Sequence, residues 1–408
     1  MQHHPKFGAL DILRFIGPGL LVTVGFIDPG NWASNIAAGS QYGYLLLWMV
    51  TFSTIILIFI QHNSAHLGIA TGLCLSEAST KYFSRRISIS FLSTAVMASV
   101  CTALAEILGM AIGLNMVFKI PLPMAAIISS ITAIIMIFLN KYQRLEKFII
   151  GFVSLIGLAF IFEISLVHID WQAASMGWLI PSFPKGSMPI QMSVLGAVVM
   201  PHNIFLHSEI IQSRQWNLES EPVIKRQLRF EFADTLFAMI VGWAINSSMI
   251  LVAAATFFSN HLNVTELPQA SSTLIPLLGN AASLVFGIAL ILSGLSSSIT
   301  AAMAGGSIYA GIFKEPFDIE DSHSKIGVLL TIIGALLLIF LVKDPFKGLL
   351  YSQMALSIQL PFTIFALLYL TSSTKVMGKF ANSRLDKIIL WIIGLIVTGL
   401  NVGLLLSI

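Results

Sequence analysis

The chain has 408 residues, of which 56% are hydrophobic and only 10% are charged, and its formal net charge is +3 at pH 7. So few charged side chains cannot cover the surface of a water-soluble protein of this size, which excludes the soluble globular classes. The small net charge gives no reason to expect a nucleic-acid partner. Because the apolar runs are continuous, the chain is predicted to be an all-α integral membrane protein.

About eleven membrane spans are predicted from apolar runs of roughly twenty residues, the length that crosses a bilayer as a helix. In chain order they lie near residues 14–39, 43–66, 88–114, 121–140, 147–168, 188–212, 232–258, 276–312, 326–342, 348–371 and 387–407. The run at 276–312 is long for one span, so it is expected to extend beyond the bilayer or to bend at Gly305 and Gly306.

Lysine and arginine predict the orientation, because both are enriched in cytoplasmic segments. With the N-terminus inside, 18 of the 22 basic residues fall in inner segments. The chain is therefore expected to be a multi-pass plasma-membrane protein with a cytoplasmic N-terminus and an outer C-terminus. The charged segment at 213–230 is predicted to form a separate cytoplasmic surface helix.

The first span is interrupted in its middle by Asp28-Pro29-Gly30-Asn31. Pro29 removes a backbone donor and Gly30 adds conformational freedom, so a helix cannot continue unbroken. In lipid the freed carbonyls need partners, and an unpaired Asp28 would cost about 3 kcal/mol. A carboxylate and loose carbonyls at one depth are typical of a cation site. The alternative is a kinked helix whose second half is capped by Asp28.

A second interruption, Met200-Pro201-His202-Asn203, lies at the corresponding place in the second half of the chain and shares the Pro-x-Asn pattern. Two interrupted helices in matching positions of two halves are typical of a transporter site at a repeat interface. We therefore treat 1–408 as one transmembrane domain. Its first repeat is 14–168, its second repeat is 188–371, and the helix at 387–407 lies outside both.

The candidate donors at this depth are Asp28, Asn31 and Met200, with carbonyls freed near Gly25 and Ala197. Oxygen-only sites suit Mg²⁺ and Ca²⁺, whereas a thioether shifts preference toward later first-row metals. The alternative for Met200 is a flexible apolar filler.

Further polar groups in apolar runs have two possible roles each. His202 and His207 are five residues apart and do not share one helical face, so each is either a hydrogen-bonded structural group or a proton carrier. Glu106 is either a buried hydrogen-bonded acid or part of a proton route. Gln61 and Gln353 can hydrogen-bond between helices or line a path.

The two interrupted motifs resemble the paired signatures of the Nramp family of divalent-metal transporters. The likeness extends to several shorter matches along the chain: Gln61, Leu104-Ala105-Glu106, Leu206-His207-Ser208, and Ser352-Gln353 ahead of Gln359-Leu360-Pro361-Phe362.

The resemblance implies a LeuT-type 5+5 inverted repeat with helices 1 and 6 broken, and uptake of Mn²⁺ or Fe²⁺ together with protons. It implies a ligand set made of Asp28, Asn31, Met200, the carbonyls of Gly25 and Ala197, and, in an occluded state, Gln353. It places Gln61 near the outer gate, and it assigns His202, His207 and Glu106 to a proton route.

The chain departs from the family pattern at three places. Ala103 stands where an aspartate is usual, and Leu295 stands where a glutamine is usual. The ninth span has no arginine, and Lys325 at its inner end is the only nearby cation. Loss of both partners of a buried pair costs less than loss of one. Proton coupling is therefore expected to be altered, loose or absent.

The leading hypothesis is a secondary transporter that imports Mn²⁺ or Fe²⁺ by alternating access. It would act without a cofactor, as a monomer, with the ion, the bilayer and protons as its partners. A related Mg²⁺ transporter is the nearest alternative, which Met200 disfavours. Asp28 disfavours a LeuT-type transporter of an organic substrate. A further alternative is an intramembrane metal enzyme that uses His202, His207 and Glu106, but Met200 suits such a site poorly.

Overall fold

The computed structural model describes residues 27–139 and 142–407, without the side chains of 142–150, 152 and 153. Within these residues the α-helices are α1 (Pro29–Tyr42), α2 (Leu47–Thr71), α3 (Leu75–Tyr82), α4 (Arg85–Phe118), α5 (Leu122–Phe138), α6 (Tyr142–Glu163), α7 (Trp171–Leu179), α8 (Met188–Val199), α9 (Pro201–Gln212), α10 (Glu221–Thr256), α11 (Ile275–Leu278), α12 (Ala282–Ile312), α13 (Ser322–Leu341), α14 (Pro345–Ser372), α15 (Thr374–Met377) and α16 (Arg384–Ser407). Short 3₁₀ segments lie at Trp216–Leu218, Phe258–Asn260, Leu267–Leu274, Gly279–Ala281 and Gly378–Phe380.

Eight helical stretches of the described chain are long and apolar enough to cross a membrane: Leu47–Thr71, Arg85–Phe118, Met188–Gln212, Glu221–Asn260, Leu267–Ile312, Ser322–Leu341, Pro345–Ser372 and Arg384–Ser407. Shorter apolar helices lie at Leu122–Phe138 and Ser154–Glu163. Each predicted span from the second onward coincides with one of these ten stretches. Most of the first predicted span lies outside the described residues, and the division into two repeats stays a prediction.

The charged segment at 213–230 is not a separate surface helix, so that prediction was wrong. Its second half is the beginning of α10, which runs unbroken from Glu221 to Thr256. Thirty-six residues make a helix roughly 54 Å long, well beyond the hydrocarbon core of about 30 Å. The charges therefore lie on the projecting end of a membrane helix.

Gly305 and Gly306 do not bend α12, which is continuous through both residues. A Cβ at Gly305 would lie 2.0 Å from Thr331 Oγ1, and a Cβ at Gly306 would lie 2.7 Å from Phe317 Cε2. The two glycines therefore allow neighbouring residues to approach α12 closely, as small residues do between membrane helices.

The buried aromatic side chain of Trp32 fixes α1 within the bundle. Trp32 is fully buried, with ring centroids 4.9 Å from Phe286 of α12 and 6.1 Å from Phe160 of α6. The same α12 packs closely on α4, since a Cβ at Gly294 would lie 2.6 Å from the carbonyl oxygen of Glu106. These contacts hold the start of α1 at the centre of the molecule.

Candidate metal-transport site

The start of α1, where the sequence predicts the first helix break, is capped by the buried carboxylate of Asp28. Its backbone is extended (φ −89°, ψ 161°), and α1 begins at the next residue, Pro29. Asp28 Oδ1 accepts a hydrogen bond from the Asn31 backbone N–H at 2.6 Å, and Oδ2 accepts one from Asn31 Nδ2 at 2.8 Å. Asp28 is therefore the N-cap that the simpler interpretation expected. Each carboxylate oxygen keeps a further lone pair that can bind a cation.

The second break lies at Met200, which ends α8 and precedes the first residue of α9. Its φ of +41° turns the chain out of the helical path. In an unbroken helix the carbonyl of Ala197 would accept from the N–H of residue 201, but Pro201 has no N–H. The Ala197 carbonyl is thereby freed, and a buried carbonyl needs another partner.

Asn31 supplies that partner and so joins the two breaks. Its Nδ2 donates to the Ala197 carbonyl at 2.9 Å and to Asp28 Oδ2 at 2.8 Å. Beyond this contact, Ser34 Oγ lies 2.7 Å from Ser193 Oγ, which links α1 to α8 a second time. The structure thus brings together three of the predicted ligand residues, Asp28, Asn31 and Ala197.

Gln353 lies between the two breaks. A Cβ at Gly30 would lie 2.1 Å from Gln353 Nε2, and a Cβ at Gly196 would lie 1.8 Å from the Gln353 carbonyl oxygen. Gln353 is 1% exposed, and within the described part of the chain neither atom of its carboxamide has a hydrogen-bond partner. An unsatisfied buried polar group costs about 1–3 kcal/mol, so this carboxamide is poised to bind a ligand.

Met200 is buried, and its sulfur accepts a hydrogen bond from Asn203 Nδ2 at 3.1 Å. A thioether sulfur with one donor still has a lone pair for a metal. The carbonyl of Gly25, the remaining predicted ligand, lies outside the described residues.

Ser293 of α12 is a site residue that the sequence interpretation missed. Its hydroxyl donates to the carbonyl oxygen of Ile27, directly before the first break. The sequence signal for this residue is its position two residues before Leu295, in Ser293-Gly294-Leu295-Ser296. A hydroxyl at this position satisfies a carbonyl beside the interruption.

His202 and Glu106 have different surroundings. His202 Nδ1 lies 2.9 Å from Thr102 Oγ1, so a hydroxyl on α4 accompanies this imidazole, while the adjacent Ala103 is fully buried. Glu106 is also buried, and its Oε2 has no hydrogen-bond partner among the described residues. The two predicted proton-route residues are therefore not joined directly by a hydrogen bond within the described chain.

The outer-gate role of Gln61 stays a prediction. Gln61 Nε2 lies 2.8 Å from His207 Nδ1 on α9, the half-helix that leads away from the second break.

Comparisons with known proteins give the family. The family model described as "Natural resistance-associated macrophage protein-like", Nramp, matches residues 19–407. A divalent metal cation transporter MntH of Caldanaerobacter subterraneus subsp. tengcongensis is 39% identical over 399 residues, covering 97% of this chain and 93% of that protein. The MntH of Bacillus subtilis is 36% identical over 403 residues, covering 98% and 93%. These relatives are transporters, which removes the intramembrane enzyme as an alternative.

Two solved structures share the fold. The Eremococcus coleocola manganese transporter, in complex with an aromatic bis-isothiourea substituted compound, has a TM-score of 0.79 at 27% identity and covers 98% of this chain and 88% of that one. Mhp1, a nucleobase-cation-symport-1 family transporter, has a TM-score of 0.61 at 17% identity and covers 96% and 91%. The predicted all-α, multi-span LeuT-type fold is thus confirmed. Since the family model and the relatives both extend over nearly the whole chain, this protein belongs to the Nramp family.

Proposed function

We propose that this chain is a secondary transporter that carries a divalent transition-metal ion, Mn²⁺ or Fe²⁺, into the cell by alternating access. The observation that carries the proposal is the contact of the two predicted helix breaks through Asn31. Beside them lies the carboxamide of Gln353, which has no hydrogen-bond partner among the described residues. The names of the relatives, a divalent metal cation transporter and a manganese transporter, support the same class of substrate.

The proposed ligand set combines one carboxylate with neutral donors: Asp28, Asn31, Met200, the carbonyls of Ala197 and Gly25, and Gln353. A single negative charge holds a divalent ion without neutralising it fully, which suits a cargo that must leave again. The thioether favours Mn²⁺ and Fe²⁺ over Mg²⁺ and Ca²⁺, whose preferred ligands are oxygens.

An organic substrate fits this site poorly. A substrate carboxylate would need the free N–H groups at the start of a half-helix. At α1 the Asn31 N–H already donates to Asp28 Oδ1, and that carboxylate would repel a second one. This contact favours a cation over an amino acid.

Alternating access requires one end of the site to open while the other is closed. Contacts of α9 with its neighbours form the proposed inner closure. Ser64 Oγ donates to the Ile204 carbonyl at 2.6 Å, and Ser208 Oγ accepts from the Leu75 N–H at 2.9 Å. Movement of α9 that breaks these contacts would expose the site to the cytoplasm.

Proton coupling is proposed to lack a fixed stoichiometry. His202 is accompanied by the neutral Thr102, Ala103 carries no charge, and α13 contains no arginine. Without a chain of charged partners beside the metal, proton release need not accompany each ion.

Flux measurements on the purified full chain in proteoliposomes test the function. We expect saturable Mn²⁺ uptake that Fe²⁺ inhibits and that excess Mg²⁺ leaves unchanged. Mg²⁺ flux that exceeds Mn²⁺ flux would instead assign the chain to the Mg²⁺ alternative. Absence of flux for every divalent ion, with uptake of an amino acid, would overturn the proposal.

A further inference from the structure

A line of polar side chains runs from α9 across α10 to α2, away from Glu106. His207 Nδ1 lies 2.8 Å from Gln61 Nε2, and His207 Nε2 lies 3.7 Å from Glu231 Oε1. The other carboxylate oxygen, Glu231 Oε2, lies 2.7 Å from His62 Nδ1. Thr235 Oγ1 donates to Glu231 Oε1 at 2.7 Å and holds the carboxylate in place. We call His207, Glu231 and His62 the Glu231 relay.

The Glu231 relay leads from the interior of the protein toward its surface. The side chains of His207 and Glu231 are 1% and 4% exposed, whereas that of His62 is 26% exposed. Within the described chain, His207 Nε2 has no hydrogen-bond partner. The Glu231 carboxylate lies 3.7 Å from it, just beyond hydrogen-bond distance. A small shift of α9 would close this gap to hydrogen-bond distance.

The buried carboxylate of Glu231 favours a proton that is shared among the three residues of the relay. A lone buried carboxylate is costly unless it is paired or neutralised. Glu231 has an imidazole on each side, and imidazole exchanges protons near neutral pH. One proton on either imidazole or on the carboxyl group removes the net charge of the relay.

A metal ion does not fit the relay as a shared ligand set. Metal ligands lie within about 2.3 Å of their ion, so three donors of one site must lie within roughly 4.6 Å of one another. Among the described residues, the acid and histidine group that meets such a limit is Glu315, Asp321 and His323, not the relay. The two imidazoles of the relay are therefore placed in line with Glu231 instead of around a common centre.

Other titratable groups face the relay from each neighbouring element. His66 of α2 stacks on His62 with ring centroids 6.0 Å apart, and Asp386 of α16 lies within electrostatic range of His66. Arg214, just after α9, interacts with His207 and with Asp234 of α10. Arg214 and Asp234 offset each other, which leaves Glu231 as the acid that contacts both imidazoles.

We propose that the Glu231 relay is a proton path between the centre of the transporter and the α2–α10 surface, separate from Glu106 on α4. The inference rests on the proposed transport function, since it states how protons move in a chain that has Ala103 and no arginine in α13. Protons that move together with the metal ion, or independently of it, would pass through Glu231 and His62.

Proton flux in proteoliposomes with an internal pH dye tests the relay. Mn²⁺ uptake and acidification are measured together, at a fixed voltage and inward pH gradient, from pH 5 to 8. We expect Glu231→Gln and His62→Gln each to lower proton flux at least tenfold and to flatten its pH profile. Mn²⁺ affinity, measured by calorimetry on the purified protein, should stay within twofold and also shows that each variant is folded.

His66→Gln is the matched control, because this histidine lies one turn from His62 and hydrogen-bonds Asn382, whereas among the described residues its interaction with Glu231 is electrostatic and not a hydrogen bond. Its proton flux should equal that of the wild type. The relay would be contradicted if both relay variants had wild-type proton flux, or if the unmodified protein had no proton flux. Neither outcome would contradict the proposed metal transport. If Glu231→Gln fails to fold, the part-exposed His62→Gln decides alone. Absence of Mn²⁺ uptake by the unmodified protein would instead contradict the proposed transport function.

Discussion

The side-chain amide of Asn31 in α1 lies 2.9 Å from the carbonyl oxygen of Ala197 in α8, although the residues are 166 positions apart. The contact exists because Pro201 has no N–H to occupy that carbonyl. Two breaks that are each unfavourable in lipid therefore satisfy one another. The proposed cation site lies at the point where these groups meet.

Replacement of the Asp28 charge should abolish transport without unfolding the protein. Asp28→Asn keeps a good N-cap for α1 but removes the only carboxylate among the proposed ligands. We expect Mn²⁺ uptake to fall at least a hundredfold, while the melting temperature changes by only a few degrees. Asp344→Ala is the control, because Asp344 also caps a helix, with Oδ1 accepting from the Lys347 N–H at 3.1 Å, but lies away from the breaks. Unchanged Mn²⁺ uptake in Asp28→Asn would end the site assignment.

Truncation of Met200 should mainly weaken discrimination between metals. Met200→Ala removes the thioether and leaves the oxygen donors, so Ca²⁺ and Mg²⁺ should compete with Mn²⁺ about tenfold more effectively. The measurement is inhibition of Mn²⁺ uptake by each ion. Met192→Ala removes a buried methionine from α8 away from the break and should leave competition unchanged. If Ca²⁺ and Mg²⁺ inhibit Mn²⁺ uptake equally in Met200→Ala and in the wild type, Met200 is a packing residue.

Two glycines beside Gln353 should respond differently to alanine. At Gly30 the added methyl would meet the end of the Gln353 side chain, which can move aside. Gly30→Ala should therefore reduce Mn²⁺ uptake with modest loss of stability. At Gly196 the methyl would meet the Gln353 backbone, so Gly196→Ala should lower the melting temperature more strongly.

Gly399→Ala is the control for both glycine variants, because among the described residues an added Cβ there meets no heavy atom within 4 Å beyond the adjacent residues and backbone of its own helix. Thermal unfolding and Mn²⁺ uptake are measured for the three variants. Equal melting temperatures for Gly30→Ala and Gly196→Ala would contradict the packing described around Gln353.

Removal of the Ser293 hydroxyl should weaken the first break. Ser293→Ala leaves the buried Ile27 carbonyl without this donor, which costs about 1–3 kcal/mol. We expect a lower melting temperature and slower Mn²⁺ uptake. Ser298→Ala on the same helix removes a hydroxyl that bonds only within α12, to the Leu295 carbonyl at 2.9 Å, and should be nearly neutral. Equivalent stability and uptake in the two variants would show that Ser293 has no special role.

Restoration of the usual acid at position 103 should not restore fixed coupling. Ala103 is fully buried and α13 has no arginine, so Ala103→Asp would introduce a buried charge without that partner. We expect loss of several kcal/mol of stability and no constant ratio of protons to Mn²⁺ in either protein. Vesicle acidification that follows metal influx at one ratio, in the unmodified protein, would refute loose coupling.

The sequence by itself determined the membrane class, the positions of the spans from the second onward, the start of the helix after Asp28 and the break at Met200. Apolar runs of bilayer length define spans locally. Pro201 has no N–H for the Ala197 carbonyl, and Pro29 suits the first position of a helix, so both positions can be read from the sequence. Asp28, Asn31 and Met200 could be named because charge, carboxamide and sulfur stand out in apolar surroundings.

The tertiary structure alone decided which groups complete one another. Asn31 meets Ala197, Gln353 fits between Gly30 and Gly196, and Gln61 contacts His207 because separate helices pack at particular depths and rotations. The sequence does not predict these contacts, because every face of a central membrane helix is apolar. Hydrophobic periodicity therefore does not mark which face of the helix packs against which neighbour. The same uniformity hid the alignment of Glu231 with His62. The charges before Phe232 hid the continuity of α10, because a change of composition does not by itself end a helix.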